Sequence, residues 1–126
     1  MTIFVSGGRD FNDWNVFKRS MDRLTIDWNV VNVYNGHDGE TDHMVERYFS
    51  EKKRKCPGVP VSPFISRADA VRFRNMDLIG AIDGAVLFWD GKSPEMAHLI
   101  GLLRMCNRRF VVFNYYGELM ENFTGR

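Results

Sequence analysis

The stretch WDGKSPEM, Trp89–Met96, sets a carboxylate, a glycine, a lysine and a hydroxyl in consecutive positions after an apolar run. At the mouth of a helix these residue types suit an anion, because unpaired amides and a nearby cation favour negative charge there. Ordinary capping accounts for part of the pattern. Ser93 is a good N-cap, Pro94 suits the first helical position, and Glu95 favours the positive end of the dipole. Capping leaves Asp90, Gly91 and Lys92 unexplained, so an anion site and a cap are both expected.

Three further stretches hold residues that could do chemistry. In SGGRDF, Ser6 to Phe11, Gly7 and Gly8 permit positive φ and close approach of a ligand to the backbone. Amides in such a bend form an anion-binding nest, and Arg9 adds a fork of donors. The competing account is a tight turn in which Arg9 and Asp10 pair or are solvated. The spacing is not the dinucleotide G-x-G-x-x-G. In NGHDGETD, Gly36 and Gly39 keep the chain free to pass near a ligand, while Asp42 either caps a helix or meets a ribose hydroxyl. His37, Asp38, Asp42 and His43 lack the spacing of a metal-ligand set, so no metal is expected. Arg74 and Asn75 suit a phosphate or a base; together with Arg67 and Arg72 they equally suit a solvated basic helix face. The run Lys52, Lys53, Arg54 and Lys55 lies at a helix end without interleaved aromatics, so nucleic acid is not the expected partner.

The elements that must position these residues alternate along the chain. Thr2–Ser6, Val30–Asn35, Gly84–Trp89 and Arg109–Asn114 are short apolar or β-branched runs that read as buried strands. Residues 59–66 add a short strand that Pro60 and Pro63 confine to an edge. Trp14, Phe17, Met21 and Leu24 recur at helical spacing behind Asn12 or Asp13 as cap. A second helix starts at Thr41 or Asp42. A third opens at Ser66 or Asp69 and runs to about Ala81, a fourth spans Pro94–Met105, and a short terminal helix covers Glu118–Phe123. This alternation predicts one α/β domain over residues 1–126, with a mainly parallel sheet of about five strands and helices on both faces. Ligands of such sheets sit beyond the carboxyl ends of the strands, near a switch in strand order. That rule selects Ser6–Asp10, Gly36–Asp42 and Asp90–Glu95, with Arg74-Asn75 nearby.

Composition narrows the class. A formal net charge of +1 gives no general attraction to nucleic acid. No apolar run approaches the about 18 residues of a membrane span, and MTIFVSGGRD lacks the layout of a signal peptide, so a cytoplasmic location is expected. Cys56 and Cys106 have no metal-type spacing and read as reduced thiols, Cys106 buried on its helix.

Taken together in this order, VSGGRDF, the Arg74-Asn75 pair and FWDGKS resemble the SLOG superfamily, the Rossmann-like group containing the DprA and LOG proteins. The pattern is nearest to its small single-domain branch of bacteria and phages related to YspA and YpsA, and the resemblance spans about Thr2 to Asn114. It implies a Rossmann-like three-layer sandwich that binds a nucleotide or nucleotide-derived small molecule, with no separate cofactor and assembly into a homo-oligomer. The carried-over contacts are Gly7, Gly8 and Arg9; Gly36 and Asp42; Arg74 and Asn75; and Asp90, Gly91 and Ser93. In a phage such a protein would sequester nucleotide immune signals. The LOG enzymes of this group cleave the N-glycosidic bond of nucleoside monophosphates. Here the expected Gly-Thr pair is replaced by Glu95-Met96, the PGGxGTxxE pattern is absent, and the usual GGARGAD-like loop reads GHDGETD. The resemblance therefore implies binding ahead of hydrolysis, and no catalytic residue carries over. Were hydrolysis retained, Glu95, Asp42, Glu40 and Asp10 are the available carboxylates. An interaction domain anchored by Trp14, Trp28, Tyr115 and Tyr116 is the third reading, against which these aromatics simply fill the core.

Overall fold

The computed structural model describes residues 1–25, 27–36, 39–51 and 67–124. Burial of every residue in Gly84–Phe88 marks this strand as the centre of the sheet, where an uninterrupted apolar run is the expected signature. In chain order the elements are β1 (Thr2–Gly7), α1 (Trp14–Thr25), β2 (Asn32–Asn35), α2 (Glu40–Glu51), α3 (Arg67–Ile79), β3 (Gly84–Phe88), α4 (Pro94–Met105), β4 (Arg109–Phe113) and β5 (Leu119–Phe123). The sheet order is β2-β1-β3-β4-β5; the first four strands are parallel and β5 is antiparallel to β4.

The period-two alternation of strands divides the core in two. Ile3 and Val5 of β1, Val86 and Phe88 of β3, and Val111 and Phe113 of β4 face α1 and α2, where Phe17, Met21, Val45 and Phe49 close over them. Phe4, Ala85, Leu87, Phe110 and Val112 face the other way, under Leu78 of α3 and Leu99, Ile100 and Leu103 of α4. Helices thus cover both faces, as the alternation predicts. Among the described residues no helix is long and apolar enough to cross a membrane.

Caps set the helix starts. Asp13 Oδ1 accepts the Val16 amide at 3.1 Å, an N-cap bonding the third helical residue. Asp42 reaches back from the third position of α2 to accept the Gly39 amide at 2.8 Å, the acidic half of a capping box.

Three expectations are corrected. The C-terminal segment is strand β5, not a helix. Gly117 adopts φ +84°, and the Asn114 side chain accepts the Tyr116 and Glu118 amides, so the chain reverses and lays β5 on β4. Phe123 then stacks on Phe110 with ring centroids 5.2 Å apart, and Glu121 takes both of its bonds from Arg104. Cys106 is exposed, because it is the C-cap of α4 and the chain turns away at Asn107, φ 58°. Trp28 is buried in the core and so is not a surface anchor, while Trp14 packs half-buried against that core, as its place in the helical repeat implies. The expected strand over residues 59–66, the lysine run at 52–55 and Cys56 lie outside the described residues.

Between α1 and α2, the Tyr48 hydroxyl donates to Asp22 Oδ1 at 2.6 Å. Burial, reinforced by that hydrogen bond, pushes the phenol from 10.0 up to about 12. An acid whose folded value is raised holds its proton more tightly in the native state, so its contribution is intact below the unfolded value. It is lost as pH rises between the two values. Urea unfolding at a series of alkaline pH values should therefore show stability falling from pH 10.0 toward about 12, with a shallower fall in Tyr48→Phe; equal slopes would contradict the role of this hydroxyl.

Candidate functional site

Strand β1 lies between β2 and β3, and the chain leaves it on one side through α1 and returns on the other through α3. The carboxyl ends of β1 and β3 therefore diverge in their connections, which opens a crevice at this point of the sheet. A cleft of about 320 Å³ occupies it. Its walls are the β1 loop (Ser6 to Asp10), Val71, Arg74 and Asn75 of α3, Asp90, the first turn of α4, and Tyr115 from the β4–β5 turn.

The β1 loop is shaped by close packing. The Gly8 amide donates to the Phe88 carbonyl at 3.0 Å, carrying the β1–β3 ladder one step past the last paired residues. A Cβ on Gly7 would strike the Thr41 side chain, and one on Gly8 would fall on the Tyr115 hydroxyl. Neither glycine has positive φ. Their requirement is space inside the fold, which corrects the expectation of a left-handed bend. Beyond them, the backbone amides of Arg9 and Asp10 and the exposed Arg9 guanidinium have no partner among the described residues.

Tyr115 forms the roof. Its hydroxyl donates to Asp10 Oδ1 at 2.6 Å, and its ring lies 4.9 Å from Phe11, which stacks on Phe88. Burial first, then the bond to Asp10, pushes this phenol well above its ordinary value. It stays a donor at neutral pH.

On the opposite wall, Asp90 Oδ1 accepts the Lys92 and Ser93 amides at 2.8 and 2.9 Å. Those two bonds, Ser93's the larger, hold its carboxyl below the usual range, so it stays ionised. Gly91 takes φ +82° to close this turn. Ser93 stands at the N-cap of α4 without a side-chain cap bond, so the expected capping hydroxyl is instead part of the cleft lining. The first helical bond is Ala97 N–H to the Ser93 carbonyl, and the Met96 amide has no partner among the described residues.

Arg74 and Asn75 are buried, 8% and 1% exposed, which removes the solvated-face account. Arg74 Nη1 donates to the Gly36 carbonyl at 2.8 Å, and its Nε and Nη2 each donate to Asn75 Oδ1 at 3.3 Å. Asn75 Nδ2 is buried and unpaired.

Of the expected residues, Ser6, Gly7, Gly8, Arg9, Asp10, Arg74, Asn75, Asp90 and Ser93 converge on the cleft. Gly36, Asp42, Gly91 and Lys92 do not line it. Asp42 is buried and spends its oxygens on the Gly36 and Gly39 amides at 3.1 and 2.8 Å, so it is a cap and brace. Gly36 links that brace to Arg74, Gly91 serves the turn, and the Lys92 amide is part of that turn while its side chain lies outside the lining. His37 and Asp38 lie outside the described residues. Tyr115, expected as an interface or core aromatic, joins the lining, and the strand-end rule applied to β4 points to it. Comparison with protein-family models, with curated proteins and with solved structures finds no match.

The Gly8–Tyr115 contact gives a sharp expectation. Gly8→Ala should cost about 1–3 kcal/mol through overpacking. Tyr115→Phe, which removes the hydroxyl the new methyl would meet, should recover part of that loss in the double variant. Chemical denaturation of the four proteins tests the cycle, and simple additivity would show that the roof does not constrain the glycine.

Proposed function

We propose that the cleft binds a nucleotide or nucleotide-derived ligand and that the chain works as a binding module, a sensor or a sponge. One observation carries this reading: residues with unpaired donors from three separate elements line the cleft at the switch in strand order. They are Arg9 and Asp10 with their amides and the Arg9 side chain, Asn75 with its buried Nδ2, and Met96 with its amide, next to a Ser93 that makes no side-chain cap bond. The volume, about 320 Å³, lies at the small end of small-molecule sites, on the scale of one nucleotide. The resemblance to the SLOG superfamily supports the same ligand class, and sequestering a nucleotide signal in a phage is one setting in which such a module would serve.

Polarity orients the ligand. The buried polar lining, Ser6, Arg74 and Asn75, contains no carboxylate, whereas Asp10 and Asp90 are exposed and Glu95 is half-buried in the first turn of α4. A phosphate is favoured toward the inner wall of Arg74 and Asn75, with sugar hydroxyls toward the carboxylates.

Hydrolysis of an N-glycosidic bond is the second reading, favoured by one fact: Asp10 and Glu95 share the cleft. Such chemistry uses a pair of carboxyl groups flanking the scissile bond. Asp42 and Glu40 lie outside the lining, and Asp90 is held ionised by two amides, which makes it a poor proton donor.

Thermal-shift measurements with nucleoside monophosphates, ADP-ribose and cyclic dinucleotides are expected to raise the Tm with at least one class. Arg9→Ala, an exposed change, should leave the Tm of the free protein unaltered and weaken that binding by about tenfold or more, the value of a charge-assisted hydrogen bond. Silence across the panel would overturn the reading. Chromatography of the same mixtures should show no free base; base release abolished by Glu95→Gln would establish hydrolysis instead.

A further inference from the structure

An asparagine carboxamide can present either its oxygen or its N–H groups to a site, and which one it presents decides what it can recognise. At Asn75 the choice is made by a neighbour. Arg74 carries only donors, and both its Nε and Nη2 point at one atom of Asn75, 3.3 Å away in each case. That atom must be the acceptor, Oδ1. The N–H side is therefore left over, buried and without a partner among the described residues.

The guanidinium is itself held. Its Nη1 donates to the Gly36 carbonyl at 2.8 Å, and the Gly36 amide is fixed by Asp42 Oδ1 at 3.1 Å. A chain of bonds thus runs from the start of α2 through the β2 loop and Arg74 to a residue lining the cleft. We propose that Arg74 is a positioning residue that locks Asn75 as a hydrogen-bond donor. Asn75 then reads an acceptor atom of the ligand, such as a phosphoryl or carbonyl oxygen or an unprotonated ring nitrogen, and rejects an amino group at that place. Reaching Nδ2 takes a small adjustment of the cleft wall, since the atom is shielded from water. A bond formed there is strengthened by the low local dielectric.

Stability gives a reason to see selection for recognition. A buried donor left unpaired is a standing cost, and Asn75 Nδ2 carries it in the free protein. Asn75→Asp keeps an acceptor for Arg74 and makes those bonds charge-assisted, which offsets the cost of burying a second carboxylate oxygen where the unpaired donor was. A residue kept for folding would be damaged by that exchange. A residue kept for binding would not.

The ligand arm of the test rests on the proposed binding role; two other arms do not. In the free protein, Asn75→Asp, its carboxylate paired with Arg74, should melt within about 4 °C of the wild type, whereas a larger fall would mean that Nδ2 supports the fold and would overturn the proposal. By nuclear magnetic resonance, the Asn75 side-chain amide should give one sharp pair of proton signals in the wild type. Arg74→Lys, which keeps the charge and loses the fork, should broaden or double that pair; an unchanged pair would remove Arg74 from the role. In calorimetric titration with adenosine monophosphate and with ADP-ribose, Asn75→Asp should weaken whichever probe the wild type binds by about tenfold or more. Retained affinity would overturn the donor assignment, while binding of neither probe by the wild type would count against the nucleotide reading and leave the first two arms to decide this one.

Discussion

The bond from the Gly8 amide to the Phe88 carbonyl, 3.0 Å long, joins the carboxyl ends of the two central strands just where the polypeptide leaves them in opposite directions. Much of the cleft follows from it. Holding Gly8 against β3 brings the β1 loop over Phe88, and Phe11 settles on that ring with centroids 4.7 Å apart. Phe11 in turn supports Tyr115, whose hydroxyl occupies the space that a side chain at residue 8 would need. The glycine pair is thus demanded by the aromatic stack beneath and beside it. Rigid packing of this kind lets a loop present donors without first having to be ordered.

The acidic residues around the site are mostly structural. Asp42 braces Gly36 and Gly39, Asp90 closes the turn before α4, and Asp10 receives the Tyr115 hydroxyl. Each carboxylate acts as an acceptor that ends a stretch of backbone or fixes a ring. At Asp90 the two amide bonds hold the carboxyl below its usual range, which runs against service as a proton donor. In the proposed binding role these three carboxylates shape the walls and roof of the cleft.

Much of this was legible in the sequence, for reasons that can be stated. Continuous apolar runs such as Gly84–Phe88 announce buried parallel strands, and the strand-end rule then points to Ser6–Asp10 and Asp90–Glu95 without further information. Pro94 fixed the start of α4 because it fits only there. The errors lie where a local signal competes with a partner distant in sequence. Glu118–Phe123 has no periodicity long enough to distinguish helix from strand; the deciding signal is the Asn114 and Gly117 pair, a hairpin signature. Cys106 keeps the helical spacing of Leu103 but lies past the last residue that the sheet can cover. The burial of Arg74 and Asn75 was not readable at all, because it depends on Gly36, which is remote in sequence.

Two departures from local rules fall in the cleft lining. Asp13 caps α1, Asp42 completes the box at α2, and Asn114 satisfies the turn before β5, so ordinary positions obey ordinary chemistry. At α4 the serine stands in the capping position and does not cap, and in the facing wall a buried carboxamide leaves its donors unpaired. Among the described residues, two other buried side-chain atoms are unpaired. Arg109 Nε belongs to a guanidinium lying 4.5 Å from the Trp28 ring centroid, and His98 Nδ1 lies on α4 itself, outside the cleft lining. Proteins tolerate such local costs chiefly where something other than stability is being served. Ser93 stands before α4 and Asn75 lies on α3; what they share is the cleft. The proposed binding role would use both, through acceptor atoms of the ligand.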